Sequence, residues 1–566
     1  MKKFKRHWIG GAFALSMASL MVACSDDTAV DSDEVPADEN GEETGDSEEA
    51  VSSDGGGDLI IAIEADAVDL NPHGSNDTAS THIRTNIYEG LVEHDENMDL
   101  QPGLAEDWEQ VDELTWEFQL VEGVEFTDGT PFNADAVVAN LERVNDPELA
   151  SPRSFMYEMI EEVNATDEYT VEIITEYPFA PILAHLAHDA GGMISPTAIE
   201  EEANGEHNID VDPVGTGPFV LDNWVQGNEI VLTRNEDYWR GPVPLDSATY
   251  RVVDEQLTRI GMFDTGEAHI VNSIEPANVG QIENSDSGDV SAVESLRLDY
   301  LGFNTTVEPL DDPDVRLAIS KAINKDEIVE GIFQGYGVEA IGPVSPMAFG
   351  FSEDVDPVDY NLEEAEQLLA DAGYEDGFSV ELMVQSGNTI NTQMAEVIQD
   401  QLSQLNINVS LQQTEWGALL DATDEANYEM VMLGWTTVTG DADYGTHALF
   451  HSDNHGPPGN NTFYTNEDVD ELLDDARRET DEEARVELYR QVAETVNEEV
   501  PLFPIVHDQF RAGVSNDVEG LFSSLMVYLT YVKQRFQAMF QVEGTKCSEP
   551  IITVFVIIGF FVCVWG

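Results

Sequence analysis

The sequence predicts an α/β protein. Three observations point there: a strand–helix–strand run between Phe378 and Leu411, an all-apolar strand at Met430–Leu433, and amphipathic helices alternating with short strands from Leu59 onward. The 566 residues include 42% hydrophobic side chains, enough for two or three compact units with cores of their own.

The chain opens on Lys2, Lys3, Lys5 and Arg6, followed by an apolar stretch from Trp8 to Val22. That is the pattern of a secretory signal, too short for an ordinary spanning helix. Met21-Val22-Ala23-Cys24 resembles a lipobox, with methionine in the usual leucine position, and marks Cys24 as the lipidated residue of a mature lipoprotein. An uncleaved anchor helix ending in a chance cysteine is the alternative. Residues 25–57 are rich in Asp, Glu, Ser and Gly without apolar periodicity, and read as an extended acidic tether.

Leu59–Ile63 is the first strand. Trp116–Leu120 and Val124–Phe126 read as strands, with Asp128-Gly129 turning the chain after the second. Asn133–Val144 has helical spacing, with Ala136, Val137, Asn140 and Leu141 on one face, and Ile230–Arg234 is a further strand. Asn361 with Glu364 forms a capping-box pair before the stripe Leu362, Ala365, Leu368, Leu369 and Ala372, which Gly373 ends. Phe378–Val384, the helix Thr392–Leu405 and the alternating Ile407, Val409 and Leu411 make a βαβ unit with parallel strands. Val469–Val496 reads as one long helix. In an α/β sheet a ligand sits beyond the carboxyl ends of the strands, which singles out the loops Gln385–Asn391 and Trp435–Tyr444.

Charge excludes several partners. With 113 Asp+Glu against 23 Lys+Arg the formal net charge is −90, so nucleic acid and anionic membrane surfaces are repelled. Such a surface suits a saline or alkaline exterior, where salt screens the self-repulsion over a few Å. The three cysteines, Cys24, Cys547 and Cys563, leave residues 25–546 without a disulfide. No HExxH, GxSxG, phosphate loop or dinucleotide fingerprint occurs, so no enzyme activity and no cofactor are expected.

Within the loops, Trp435 is placed to floor a ligand cleft or to join the core, and Asp441 and Asp443 to accept an ammonium group. His447, His451 and His455 are spaced for one helical face, but Gly456-Pro457-Pro458-Gly459 breaks any helix there, and no resident metal is expected.

Several segments stand in one order: Leu104–Trp108, Gly123–Asn133, Pro213–Phe219, Arg234–Trp239, Phe303–Thr305 with Val315–Ile319, Ala372–Tyr374 and Gly434-Trp435. Together, from Asp69 to about Gly520, they resemble the family 5 extracellular solute-binding proteins of ABC importers for peptides, nickel and glutathione. The resemblance implies a periplasmic-binding-protein-like clamp of class II type, with two main lobes, an extra lobe and a hinge. Lobe I would comprise 58–90, 221–300 and 511–533, lobe II 91–220 and lobe III 301–510. It further implies a monomer outside the cytoplasmic membrane, lipid-anchored on its outer face or in the periplasm, that delivers a peptide-like ligand to a permease and its ATPase subunits. In dipeptide binders of the family an aspartate follows the loop tryptophan by three residues; here Val438 stands there, and Ser386 replaces an arginine for the ligand carboxylate. The run Trp435–Tyr444 instead resembles the glutathione-type loop. The resemblance and the loops implied by strand order make Asn76, Asp77, Arg84, Gln385, Ser386, Asn388, Trp435, Thr436, Thr439, Asp441, Asp443 and His447 the expected ligand contacts. The rivals are a nickel or metal-chelate receptor on the same fold and a secreted peptide hydrolase. Residues 534–566 fit no part of the pattern; their apolar end, Ile551–Trp565, reads as a C-terminal anchor or as out-of-frame sequence.

Overall fold

A computed structural model describes residues 57–95, 97–457 and 459–518, with the backbone alone of two further short strands, Phe522–Ser523 and Leu529–Thr530. The expected signal, Cys24, the tether up to residue 56 and the 534–566 tail lie outside the described residues. No helix among the described residues is long and apolar enough to cross a membrane.

One mixed sheet of eleven strands organises this part. In chain order they are β1 (Asp58–Ile63), β2 (Phe219–Val225), β3 (Glu229–Arg234), β4 (Ser247–Val252), β5 (Ile270–Val271), β6 (Gly288–Phe303), β7 (Gly337–Glu339), β8 (Ser379–Gln385), β9 (Asn408–Thr414), β10 (Met430–Thr436) and β11 (Leu502–Ser515). The spatial order is β9-β8-β10-β6-β11-β5-β1-β4-β3-β2, with β7 on β11. β8 runs parallel to both β9 and β10, as the strand–helix–strand reading requires. The two long strands β6 and β11 pair antiparallel and carry the chain between one half of the sheet and the other. The expected lobe boundaries at 220/221, 300/301 and 510/511 fall inside the continuous strands β2, β6 and β11.

Three groups of cores follow the chain's apolar periodicity. Leu59, Ile61 and Ile63 alternate inward with Ile230, Leu232, Tyr250 and Phe510. A separate four-stranded antiparallel sheet, in the order Ala105–Gln110, Thr115–Leu120, Thr170–Thr175 and Ile160–Asp167, buries Phe118, Leu120, Val171 and Ile173. Beyond β6, Val380, Leu382 and Val384 pack with Met394, Ile398 and Leu402 on one face, and Leu298, Tyr300 and Leu433 pack with Phe450, Val492 and Val496 on the other. Each fully buried aliphatic side chain contributes roughly 1.5–3 kcal/mol.

The helices that matter for the site are α1 (Thr78–Arg84), α2 (Ala134–Val144), α3 (Thr389–Leu402), α4 (Ala442–Phe450), α5 (Glu467–Arg478) and α6 (Glu482–Glu499). In α2, Asn140 lies on the buried face because it pairs twice with the Ile194 backbone, at 2.8 and 2.9 Å. Half of the capping box forms: Asn361 Oδ1 accepts from Glu364 N at 3.2 Å before the helix Leu362–Asp371, while the Asn361 backbone N–H donates to Lys321 O instead of to Glu364.

Val124–Phe126 forms a single antiparallel bridge, Glu125 with Pro131, closed by the expected turn at Asp128-Gly129, where Phe126 N donates to Thr130 O and Asp128 Oδ1 accepts from Thr130 N. Two expectations are corrected. The helix placed at Thr392–Leu405 begins earlier, at Thr389, because Asn388 caps it, and its last turn tightens into a 3₁₀ turn at Ser403–Leu405. The single helix expected over Val469–Val496 is two, α5 and α6. Glu479 is extended, and Asp481 accepts from Ala484 N at 3.0 Å, starting a new helix rather than continuing the old one.

Candidate functional site

The strands β8 and β10 run parallel, but β10 continues past the end of β8 to Thr436, and the loop after β10 is built to leave the sheet. Thr437 N still donates to Leu296 O, then Gly440 turns at φ +70, a conformation costly for other residues. Phe349 pairs with the loop on both sides, its N donating to Gly440 O at 2.8 Å and its O accepting from Ala442 N at 2.9 Å. The chain then enters α4.

Along this loop a seam forms. Tyr444 lies 5.6 Å from the Trp435 ring and 6.2 Å from Phe155, and its hydroxyl interacts with Asn76. Three separated stretches, around residues 76, 155 and 435–444, therefore meet at one aromatic cluster. Lower in the seam, Ala180 N donates to Arg477 O at 2.8 Å, and the Arg477 guanidinium stands 5.6 Å over Phe179. Met98 packs with Ala442 and Tyr489.

The two loop aspartates have a different role from the one expected of them. Asp441 is buried and accepts from Arg485 through both oxygens, at 2.9 and 3.1 Å, while its Oδ1 also caps α4 by accepting from Asp443 N at 3.0 Å. Asp443 accepts from Arg477 Nε at 2.7 Å and Nη2 at 3.1 Å. Burial pushes the Asp443 carboxyl up, but the Arg477 guanidinium outweighs it and holds the group at about 2. Each carboxylate is thus paired with an arginine in this structure. The sequence distance from Asp441 to Arg485 hid the pairing, since only the docking of α6 under α4 brings the two together.

Other expected contacts are likewise occupied. Arg84 is fully buried; Nε reaches Asp189 at 3.0 Å, Nη2 reaches Thr81, and Nη1 reaches Asn71 O and Ser75, so it organises the 69–77 loop. Asp77 caps α1 through Ser80 N at 2.8 Å, Asn388 caps α3 through Asn391 N at 2.9 Å, and Thr439 is buried with its hydroxyl bonded inside its own loop. Gln385 ends β8 and Ser386 N donates to Thr414 O; no hydrogen bond among the described residues carries Gln385, Ser386 or Asn388 to the seam. Open at the seam are Asn76, which is exposed, and Trp435 and Thr436, which are half-buried; the buried Trp435 indole N–H has no hydrogen-bond partner among the described residues.

His447 and His451 stack at 4.5 Å and meet Asp474, three groups close enough to surround a cation, while His455 turns away to Tyr464 O. His451 Nδ1 accepts from Asp453 N at 3.1 Å, and His447 Nδ1 accepts from Asn454 Nδ2 at 3.0 Å, that amide being oriented by its bond to His447 O. Nδ1 of each ring is thus already engaged, which leaves Nε2 as the nitrogen outside these two hydrogen bonds. Burial lowers His447 to about 3, which keeps it neutral.

Arg297 was not among the expected contacts. It sits on β6 opposite Thr436 and pairs with Asp299, with Nη2 to Oδ1 at 2.6 Å and Nε to Oδ2 at 3.2 Å. Nothing in the local sequence pattern marks it.

A mixed sheet crossed by two long antiparallel strands, with a packed seam beside the carboxyl ends of its parallel strands, is the architecture of a bacterial solute-binding protein. The profile of bacterial extracellular solute-binding proteins, family 5 Middle, matches residues 99–457, and the chain belongs to that family. It is 34% identical over 471 residues to the glutathione-binding protein GsiB of Shigella flexneri, covering 82% of this chain and 91% of that one. Among solved structures it resembles the Helicobacter pylori periplasmic binding protein DppA in complex with the peptide STSA. There the TM-score is 0.73 at 29% identity, over 85% of this chain and 98% of that one. It also resembles a dipeptide-binding protein from Pseudoalteromonas in complex with Met-Leu, with TM-score 0.73 at 26% identity, over 84% and 98%. These relatives are solute-binding proteins rather than enzymes.

Proposed function

We propose that this protein is the lipid-anchored receptor of an ABC importer and captures glutathione or a short peptide of similar size. The observation that carries the reading is the 34% identity, over most of both chains, to a glutathione-binding protein. The fold supports reversible capture. β6 and β11 carry the chain between the two halves of the sheet, and bending where they cross opens and closes the seam at Trp435, Thr436 and Tyr444. The ligand is then handed to a permease driven by cytoplasmic ATPase subunits. Three lobes with the boundaries given above, a monomeric state and a lipid on Cys24 complete the proposal.

The test is calorimetry on the mature domain with reduced glutathione, oxidised glutathione, di- and tripeptides and nickel–histidine. Micromolar or tighter binding of a peptide in the set supports the reading. Binding of the nickel chelate alone sinks it.

A further inference from the structure

The antiparallel pairing of β6 with β11 shifts register twice, between Glu294 and Leu298 and again between Asp299 and Tyr300. Glu294 faces Gln509 and the next paired residue is Leu298, facing His507, so Ser295, Leu296 and Arg297 bulge from the ladder. A bulge of this kind re-aims a side chain and is common next to functional sites. This one is braced: Ser295 Oγ donates to Asp508 O at 2.6 Å and accepts from Arg297 N at 3.2 Å, and Ser345 Oγ donates to Ser295 O at 3.0 Å.

The braced bulge presents Arg297. Its side chain is 36% exposed while its partner Asp299 is 3% exposed, so the pair is buried at the carboxylate and open at the guanidinium. Asp299 takes Nε and one edge of Nη2; Nη1 makes no hydrogen bond among the described residues. The neighbouring Asp508 is bound to Arg511 at 2.7 and 3.2 Å and offers Arg297 no second carboxylate contact. Room for the guanidinium is reserved by Gly434 on β10. A Cβ there would overlap Arg297 Nη2 and lie 2.7 Å from Asp299 Oδ1. Arg297 stands opposite Thr436 and Asp299 opposite Gly434, so the guanidinium shares a face of the sheet with Thr436, with the Trp435 ring on the other face, at the point where β10 ends.

We infer that Arg297 is a ligand-binding residue that holds a carboxylate of the captured peptide through its open Nη edge, with Asp299 fixing the fork from behind. The inference rests on the peptide reading above and supplies what that reading lacked, since Ser386 and Arg84 give no cation to a ligand. It also explains how a chain of net charge −90 holds an anionic guest. A planar fork already oriented by one carboxylate binds a second with little further loss of side-chain freedom.

The experiment is a cycle of ligand and residue. Wild type, Arg297→Lys and Arg297→Met are titrated with glutathione and with its diethyl ester, in which both carboxylates are blocked, in 1 M salt to suppress long-range charge effects. Wild type is expected to prefer the free acid, and both variants to lose about 10- to 100-fold of that preference. Arg297→Lys keeps a cation beside Asp299 and guards against misfolding, which circular dichroism checks. If wild type binds glutathione or another peptide of the set while the free-acid preference of the two variants stays within about twofold of wild type, Arg297 does not hold the carboxylate. If wild type binds no peptide at all, the functional reading falls and takes the inference with it.

Discussion

Asp441→Ala separates two accounts of the loop after β10. If Asp441 received a ligand ammonium, its loss would weaken binding and leave the unliganded fold untouched. The geometry says the reverse. Both oxygens of Asp441 are held by Arg485, and each side chain is only 6% exposed. Removing one member of such a pair strands a buried charge, at a cost of about 3–5 kcal/mol. The lost cap on α4 lies within the same change and costs about 1 kcal/mol by itself. Against a total stability on the order of 5–15 kcal/mol, this is a large fraction. Replacing both partners, as Asp441→Leu with Arg485→Met, removes the stranded charge and should recover most of the loss, to within about 2 kcal/mol of wild type. Equilibrium urea unfolding of the ligand-free domain, followed by tryptophan fluorescence in 1 M salt, reads all three. An Asp441→Ala protein within about 0.5 kcal/mol of wild type, with affinity for its peptide abolished, would refute the reasoning.

Three further outcomes are expected. Gly434→Ala forces Arg297 off Asp299 and should cost about 1–3 kcal/mol in unfolding free energy together with a drop in peptide affinity; an unchanged protein would show that the fork has room to spare. Burial lowers His73, His188 and His447 to about 3 and His94 and His507 to about 4. The unfolded chain therefore takes up protons first as pH falls below about 6.5, and each such histidine lowers stability by up to about 1.4 kcal/mol per pH unit between 6.5 and its folded value. His185 is lowered by burial as well, and Asp69, Glu89, Asp424 and Asp508, displaced upward by burial, oppose the histidines. The melting temperature in 1 M salt should fall from pH 7 to pH 5, and a flat profile would contradict the buried neutral rings. Arg477→Ala removes the Asp443 pair and the contact over Phe179, so small-angle scattering of the unliganded protein should show a larger radius of gyration; no change would mean the seam is held by other contacts.

The elements legible in the sequence were those whose signals are local. The helix capped by Asn361 and ended by Gly373, the alternating β9 and the parallel β8–β9 pair all follow from periodicity and capping over a dozen residues. Local signals misled where a cap and a helix compete, as at Asp481, or where a residue placed before the helix caps it one turn early, as at Asn388. The site was harder. Composition supplied 113 carboxylates and no means to rank them, and Asp441 and Asp443 drew notice by position in a loop rather than by what they touch.

By itself the sequence determined the α/β class, the acidic surface, the strand ends that carry the seam and the family to which the chain belongs. Only the tertiary structure decided which charges are neutralised. The partners of Asp441, Asp443 and Arg84 lie 44, 34 and 105 residues away, and their pairing depends on helices and strands docking over distances that no local pattern encodes. The same docking leaves Arg297 with an open edge, because a bulge and a glycine on two different strands must coincide before one guanidinium is presented to the seam.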